Sequence, residues 1–333
     1  MQPTATQIDE IFNSLLDTEL PRQTAIDENS TDGPDFCRLI TKRYRACSLD
    51  AQSRLKFHRN FQKCVDSERA VQLNIPIGGY KKCHLTAAPE ADWAEFFNLA
   101  FMKDLALKIA ACYEPGVQIT YLASGFIRYG LNITNYPPDH FYTYFQSMEK
   151  LTAYLNEMLS GTNIKFSFET VSERIDHADF MAHFRVNLQT AKTFWKDPKN
   201  TEQITNIEKK ARKNYYCPQY TPTQKEIRES AQTAWAYLKT FAMLKCIDAD
   251  EEIPVILRKG MPGYLHLRSS YNSVVQFWVG EGVLVRRKNT LFPTILSDKN
   301  LKKCTLAQSY PTDRFKELGN NFHTIKVVRE IPD

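Results

Sequence analysis

A glycine loop carrying two lysines is the first feature of the chain that could do chemistry. Residues 78–82 read Gly-Gly-Tyr-Lys-Lys and follow a strand-like stretch. Gly78 and Gly79 permit backbone angles that other residues resist. Lys81 or Lys82 could therefore be aimed at an anion or, once desolvated, at a carbonyl carbon. A simple turn followed by two surface lysines is the alternative interpretation.

A polar strand is the second candidate. Within residues 266–270, side chains two positions apart share a face of the strand, and this places His266, Arg268 and Ser270 together. The apolar run that follows at 274–285 predicts that the region is interior to a sheet. Because buried polar groups need partners, we expect His266 and Arg268 to meet a ligand or acids of the protein. The candidate working surface is where this strand meets the lysine loop.

The loop predicted after the strand at 117–123 is the third candidate. It begins at Ser124 and carries Arg128, a possible ligand for an anion. Its position matters more than its motif, because ligands of α/β sheets collect outside the carboxyl ends of the strands. The chain contains no dinucleotide-binding glycine fingerprint, P-loop, nucleophile elbow or zinc-protease motif.

The elements that must position these residues follow the order of an α/β sheet. Asp92 is a plausible N-cap, with Glu95 at the capping-box position of a long helix. The fold class predicted is α/β, a Rossmann-like sheet flanked by helices. Strands are predicted at 71–77, 117–123, 164–171, 253–257 and 264–269, a further helix at 139–160 and a hairpin near 286–290.

The predicted domain organisation is one α/β domain over residues 36–333. A peripheral helix and a connector precede it at 1–35. Residues 178–247 are predicted to be a mostly helical insertion, and the last third is rich in strands. No repeat or shift of composition marks a second domain.

Composition places the chain among ordinary globular proteins, since 43% of its residues are hydrophobic and 24% are charged. No apolar stretch is long enough for a membrane span, and no secretory signal is evident, so we expect a cytoplasmic protein. The eight cysteines show neither Cys-x-x-Cys pairs nor zinc-ligand spacing, which predicts reduced thiols and no metal site.

The net charge of +5 is mild for 333 residues and favours small anionic substrates over nucleic acid. One basic run, at 209–213, stands beside Tyr215 and Tyr216. Such a run could bind phosphates or nucleic acid, or it could be the solvated end of a helix followed by packed tyrosines. The sequence leaves both interpretations open and does not indicate the oligomeric state.

Several of these features in this order resemble the isocyanide (isonitrile) synthase family, which includes the synthases of the paerucumarin and dityrosine pathways. Members carry a lysine loop, a Pro-Asp helix start, a Tyr-x-Pro-Gly-Ala turn and a strand entering Ser-Asp-Gly-Arg. Here the similar stretches are Lys81, the helix start at 89–95, Tyr-Glu-Pro-Gly-Val at 113–117 and Ser124-Gly125. The family's Arg-Leu-Ser-x-His-Pro strand falls loosely on 265–270.

The chain departs from the family at several motif positions. The family's aspartate falls on Ser124 and its arginine on Phe126, whereas the arginine and histidine of the later strand fall on His266 and Ser270. The resemblance implies a Rossmann-like enzyme that condenses the amine of an amino acid with the ketone of a pentulose phosphate and fragments the adduct to an isocyanide. It implies no metal or other cofactor.

Roles follow from that resemblance for the candidate residues. Phosphate and carboxylate would be bound by cations, and His266 would supply acid/base chemistry near the carbonyl carbon. Two alternatives remain: another transferase or ligase acting on a phosphorylated or nucleotide substrate, or a binding protein without catalysis. The predicted catalytic residues are His266, Lys81 and Lys82, and the predicted substrate-binding residues are Arg128, Arg268, Ser124, Ser270, Gly78 and Gly79.

Overall fold

The structure is a computed structural model that describes residues 4–21, 39–81, 89–217, 219–244, 252–257, 263–288 and 290–330. Lys82 and most of the predicted N-terminal connector lie outside these ranges. None of the helices within the described ranges is both long and apolar enough to cross a bilayer.

A five-stranded parallel sheet forms the centre of the fold, and its strand order is β3-β2-β1-β4-β5. The chain moves outward from β1 to β3 and then crosses to β4 on the other side of β1. Strand order therefore reverses between β1 and β4, which is where ligands bind in such sheets. The strands are β1 (Val71–Ile77), β2 (Val117–Ala123), β3 (Ile164–Thr170), β4 (Ile253–Ile256) and β5 (Leu265–His266).

Helices precede and connect these strands. The predicted Rossmann-like α/β class is confirmed, because each parallel crossover from β1 to β3 contains a helix. Among the described residues these helices are α1 (Ala5–Leu16), α2 (Ala51–Asp66), α3 (Trp93–Ala110), α4 (Gly125–Gly130) and α5 (Pro138–Met158).

Helix α3 is buried on almost every side. It begins as predicted, with Asp92 as N-cap and Glu95 completing the capping box. A helix that is apolar all round belongs in an interior, and α3 lies between the parallel sheet and a second sheet. At Gly282 of that second sheet, a Cβ atom would stand 2.2 Å from the backbone of Trp93 and Ala94.

The second sheet is mixed and has the strand order β7-β6-β9-β8. The predicted hairpin is confirmed, since β6 and β7 pair antiparallel around Lys288. The apolar run at 274–285 is not one strand, because a 3₁₀ turn at Phe277–Val279 precedes β6. A short helix, α9 (Asp298–Leu301), follows β7. The strands are β6 (Gly280–Arg287), β7 (Thr290–Ser297), β8 (Cys304–Pro311) and β9 (Thr324–Glu330).

The described residues of the long connection between β3 and β4 form three helices, in agreement with the mostly helical insertion predicted at 178–247. They are α6 (His177–Phe194), α7 (Thr201–Asn214) and α8 (Gln224–Met243). The apolar sides of α6 and α8 pack over Leu122 and Val171, at the carboxyl ends of β2 and β3. Helix α7 contains no buried residue and carries the basic run. Tyr216, just after it, packs on Tyr136 with ring centroids 4.8 Å apart.

Helix α1 covers the amino end of α3. Its apolar side chains at positions 8, 12, 15 and 16 are buried, and the Phe12 ring lies 4.8 Å from that of Trp93. The helix predicted at this end is therefore present, and it is joined to the main core through aromatic packing.

Candidate functional site

Two loops meet at the carboxyl ends of β1 and β2. Gly79 has a φ of +72°, and a Cβ atom there would stand 2.5 Å from the backbone nitrogen of Gly125. The Ser124 hydroxyl donates to the carbonyl of Ile77 at 3.1 Å. The backbone of Gly79 thus lies against that of Gly125. The predicted site residues Gly78, Gly79 and Ser124 are brought together in these two loops. Residues 124–128, predicted as a loop, instead enter helix α4, whose first turn is closed by the bond from the Arg128 amide to the Ser124 carbonyl (3.1 Å).

This contact leads to a matched pair of glycine substitutions. Gly79→Ala should lower the free energy of unfolding by about 1–3 kcal/mol, because alanine is strained at this positive φ and would also collide with Gly125. Gly130→Ala, where a Cβ atom would meet nothing within 4 Å, is the control and should not destabilise. Urea unfolding measures both, and equal midpoints for the two variants would contradict the close approach.

Arg128 lies beside these loops with its guanidinium between two tyrosine rings. The guanidinium carbon is 5.9 Å from the centroid of Tyr80 and 5.6 Å from that of Tyr237. Tyr237 belongs to α8, so the helical insertion supplies one side of the arrangement. Within the described residues no hydrogen-bond acceptor meets the buried Arg128 Nε. A half-buried arginine with aromatic support is suited to bind a carboxylate or phosphate.

Lys81 lies in the interior instead of facing solvent. Its ammonium is fully buried and contacts Glu95 Oε2 at 2.8 Å, Asp92 Oδ1 at 3.0 Å and the Phe277 carbonyl at 2.9 Å. A lysine ammonium has three hydrogens to donate, and these three acceptors account for them. In this conformation Lys81 ties the glycine loop to the start of α3 and to the turn before β6. Its predicted catalytic role stays a prediction.

Two carboxyl groups share this one ammonium, which affects their protonation. Burial, helped by the neighbouring Asp92 carboxylate and opposed by Lys81, raises the pKa of Glu95 to about 8. The Tyr144 hydroxyl donates to Glu95 Oε1 at 3.0 Å, and burial raises the pKa of that phenol well above its ordinary value. The main cause of the raised pKa of Glu95 is thus the removal of its carboxylate from water, which the Lys81 ammonium opposes.

The raised pKa of Glu95 predicts how stability depends on pH. The folded state binds the Glu95 proton more tightly than the unfolded state, whose carboxyl has its ordinary pKa of 4.5. The stabilisation is therefore complete below that ordinary pKa and is lost as pH rises toward about 8.

Glu95→Gln should remove this dependence, because the amide does not titrate. We expect the free energy of unfolding to fall more steeply for the wild type than for Glu95→Gln between pH about 5.5 and about 8.5. Urea unfolding at several pH values tests this, and parallel curves for the two proteins would contradict it. Titrating groups distant from Glu95 are common to both proteins and cancel in the comparison.

The polar strand is shorter than predicted and contacts a different part of the chain. Strand β5 ends at His266, Leu267 forms an isolated bridge with Arg45, and Ser270 turns back toward Ser273. Serines favour turns over continued strands. The Ser270 hydroxyl is buried, and no partner for it occurs within the described ranges.

His266 and Arg268 lie against the segment that precedes α2. His266 Nδ1 is 3.0 Å from the sulfur of Cys47, and Arg268 Nε donates to the carbonyl of Arg45 at 3.2 Å. Strand β4 separates β5 from β1. Of the predicted site residues, Gly78, Gly79, Ser124 and Arg128 thus form one group and His266 and Arg268 another, while Lys82 lies outside the described residues.

Sequence reasoning missed Tyr237 and Cys47, because both reach the candidate residues from distant segments. Glu95 was identified only as a capping residue. A signal for its second role is present, since Asp92, Glu95 and Asn98 recur every three residues where the other residues up to position 102 are apolar. Polar groups repeated on a buried face need internal partners.

Nothing in the described ranges gathers three or more His, Cys, Asp or Glu side chains in a way that could hold a metal ion. The groups that the described residues place at the carboxyl edge are the Arg128 guanidinium, the backbone of two tight loops, and an imidazole beside a thiol.

Comparison with known proteins identifies a similar fold. No protein-family model matches the chain, and no curated protein sequence matches it. Among solved structures, the chain is similar to the PvcA protein from Pseudomonas aeruginosa, with a TM-score of 0.58 and 16% sequence identity. The alignment covers 89% of this chain and 99% of PvcA. The chain therefore shares the α/β fold of PvcA along nearly the whole length of that protein.

Proposed function

We propose that this protein is an isocyanide-synthase-like enzyme that condenses the amine of an amino acid with the ketone of a pentulose phosphate. The observation that carries the proposal is the fold shared with PvcA, which spans 99% of that chain. PvcA is an isocyanide synthase, and the family that the sequence motifs resemble is the same one. The similarity of the backbone fold and the local sequence motifs are different kinds of support, and both favour the proposed isocyanide synthase function.

The Arg128 site, defined as Arg128 with Tyr80, Tyr237, Gly79 and Ser124, suits the substrates of this reaction. Both substrates carry an anion, the carboxylate of the amino acid and the phosphate of the sugar. A guanidinium presents its donors in a fork that matches either group. The site also lies at the carboxyl edge of the sheet, where α/β enzymes bind their ligands.

Lys81 enters this proposal as a positioning residue for the glycine loop. Its ammonium donates to acceptors of the protein interior, and in this way it orders residues 78–81. His266 and Arg268 would act from the β5 side of the same edge.

A second candidate function is another transferase or ligase that uses a phosphorylated substrate on this fold. The observation that favours it is Ser124, which occupies the position where the isocyanide synthase family has an aspartate. Residues 124–128 include no acidic residue, and the Ser124 hydroxyl donates to the Ile77 carbonyl. Acid/base chemistry that depends on that carboxylate would be lost, while binding of a phosphate near Arg128 would remain.

A ligand and product assay distinguishes the two functions. The purified protein is incubated with each of the common amino acids, with and without a pentulose 5-phosphate. Melting temperature and product mass are then recorded. The synthase proposal predicts stabilisation by both substrate classes and a product bearing the amino acid with its nitrogen as an isocyanide. Stabilisation by the sugar phosphate without that product favours the second function, and no stabilisation by any of these compounds refutes the synthase proposal.

A further inference from the structure

A cysteine and a histidine that are 219 positions apart in sequence form a close pair on the β5 side of the carboxyl edge. Cys47 Sγ and His266 Nδ1 are 3.0 Å apart, a distance that is short for a hydrogen bond involving sulfur. Cys47 is partly exposed, and His266 is buried to 7% exposure. Cys47 is thus the more exposed residue of the pair.

Backbone hydrogen bonds join the two segments that carry this pair. The Ala46 amide donates to the His266 carbonyl at 2.9 Å, and the Arg268 amide donates to the Tyr44 carbonyl at 2.8 Å. These two bonds bracket the bridge between Arg45 and Leu267. The segments that carry Cys47 and His266 are therefore joined by backbone hydrogen bonds on both sides of one β-bridge.

A cation contacts the backbone of the segment that carries Cys47. Arg268 Nε donates to the carbonyl of Arg45, two residues before Cys47. Its side chain is half-buried, and its terminal nitrogens meet no acceptor within the described part of the chain. A compound that reaches the Cys47 sulfur would therefore have a guanidinium nearby for an acidic group.

We propose that Cys47 and His266 form a nucleophilic thiol–imidazole pair that adds to α,β-unsaturated carbonyl compounds carrying a carboxylate, which Arg268 binds. The thiol proton passes to His266 Nδ1 as the sulfur electron pair forms a bond to the β-carbon. The electron pair of the carbon–carbon double bond moves to the α-carbon, which then takes the proton from the imidazolium. The product is a thioether, and the neutral imidazole is restored without any oxidant or leaving group.

This inference goes beyond the proposed synthase function and does not depend on it. Its evidence is the contact between Cys47 and His266 and the position of Arg268. Its test reads a covalent adduct and requires no enzymatic turnover.

Two maleimides that differ by one carboxylate test the pair. The full-length protein is treated with N-ethylmaleimide or with 3-maleimidopropionic acid, and adducts on each cysteine are quantified over time by peptide mass spectrometry. Cys217 is an internal comparator, since it is also partly exposed but donates to the Tyr220 carbonyl instead of an imidazole. Cys47 should react about tenfold faster than Cys217 or more, because a positioned base accelerates proton removal.

Variants separate the roles of base and cation. His266→Gln should reduce the rate at Cys47 to about that of Cys217. Arg268→Gln should keep a fast reaction with N-ethylmaleimide but remove the preference of Cys47 for the carboxylated reagent. Labelling of Cys217 within each variant shows whether the rest of the protein is unchanged.

The proposal is overturned if Cys47 in the wild type reacts no faster than Cys217, a comparison that needs no variant. It is also overturned if a folded His266→Gln protein keeps the wild-type rate. The ratio of the Cys47 rate with 3-maleimidopropionic acid to its rate with N-ethylmaleimide is compared between proteins. If this ratio were the same in the wild type and in Arg268→Gln, Arg268 would not bind the carboxylate.

Discussion

Replacing Lys81 by methionine should lower the free energy of unfolding by about 3–5 kcal/mol, the cost of removing one partner from a buried ion pair. The substitution keeps the length of the side chain but leaves Asp92 without its cation and the Phe277 carbonyl without its donor. The glycine loop would also lose its attachment to α3. Urea unfolding at neutral pH measures the loss.

A surface pair supplies the matched control. Lys302 lies 3.0 Å from Asp298, with side chains 75% and 47% exposed. Lys302→Met should change stability by no more than about 0.5 kcal/mol, because water screens an exposed pair. If Lys81→Met were no more costly than Lys302→Met, the buried network would not contribute as the structure indicates.

A second substitution in the same background tests the cause. Asp92→Asn added to Lys81→Met should recover part of the lost stability, because it removes the uncompensated charge. Asparagine still serves as an N-cap, so the start of α3 is retained. A double variant that is less stable than Lys81→Met would show that the loss has another origin, such as poor packing of the methionine.

Replacing Arg128 by glutamine should weaken binding of a pentulose phosphate by about 10- to 100-fold. Hydrogen bonds to charged groups contribute roughly 1.5–3 kcal/mol, and each 1.4 kcal/mol corresponds to about a tenfold change in affinity. Arg128→Lys should fall between the wild type and Arg128→Gln, because it keeps the charge but loses the fork. Isothermal titration calorimetry measures all three affinities.

The control for this series is Arg54→Gln on the exposed side of α2. It removes the same charge far from the carboxyl edge and should leave the affinity unchanged. If Arg128→Gln kept the wild-type affinity for the sugar phosphate, as Arg54→Gln should, Arg128 would not be the anion ligand. Equal losses in both would instead indicate a long-range effect of net charge, which added salt would reveal.

Much of the fold could be predicted because its signals are local. The strands at 71–77 and 117–123 were predicted at their observed bounds, since short apolar runs bounded by glycine or proline typify parallel strands. The start of α3 was equally clear, because the capping pair Asp92 and Glu95 is encoded within four residues. The alternation of strands and helices along the chain then indicated the α/β class.

The errors arose where local patterns were interrupted by tertiary contacts. The strand predicted through Ser270 ends at His266, because the chain turns back at a run of serines and pairs with residues 44–46. Residues 124–128 became a helix because the Ser124 amide bonds to the Ile77 carbonyl at 3.2 Å and fixes the turn. Neither contact lies within the window of a periodicity argument.

Residue types and spacing were enough to identify Arg128 and His266 as candidates, and to place a lysine after two glycines. Only the folded chain decided what those side chains meet. Lys81 contacts two buried carboxyl groups, and His266 contacts Cys47. Arg128 lies beside Tyr237, which belongs to a helix more than 100 positions further along the chain. The physical reason is that periodicity and capping depend on neighbours in sequence, whereas burial and electrostatic pairing depend on neighbours in space.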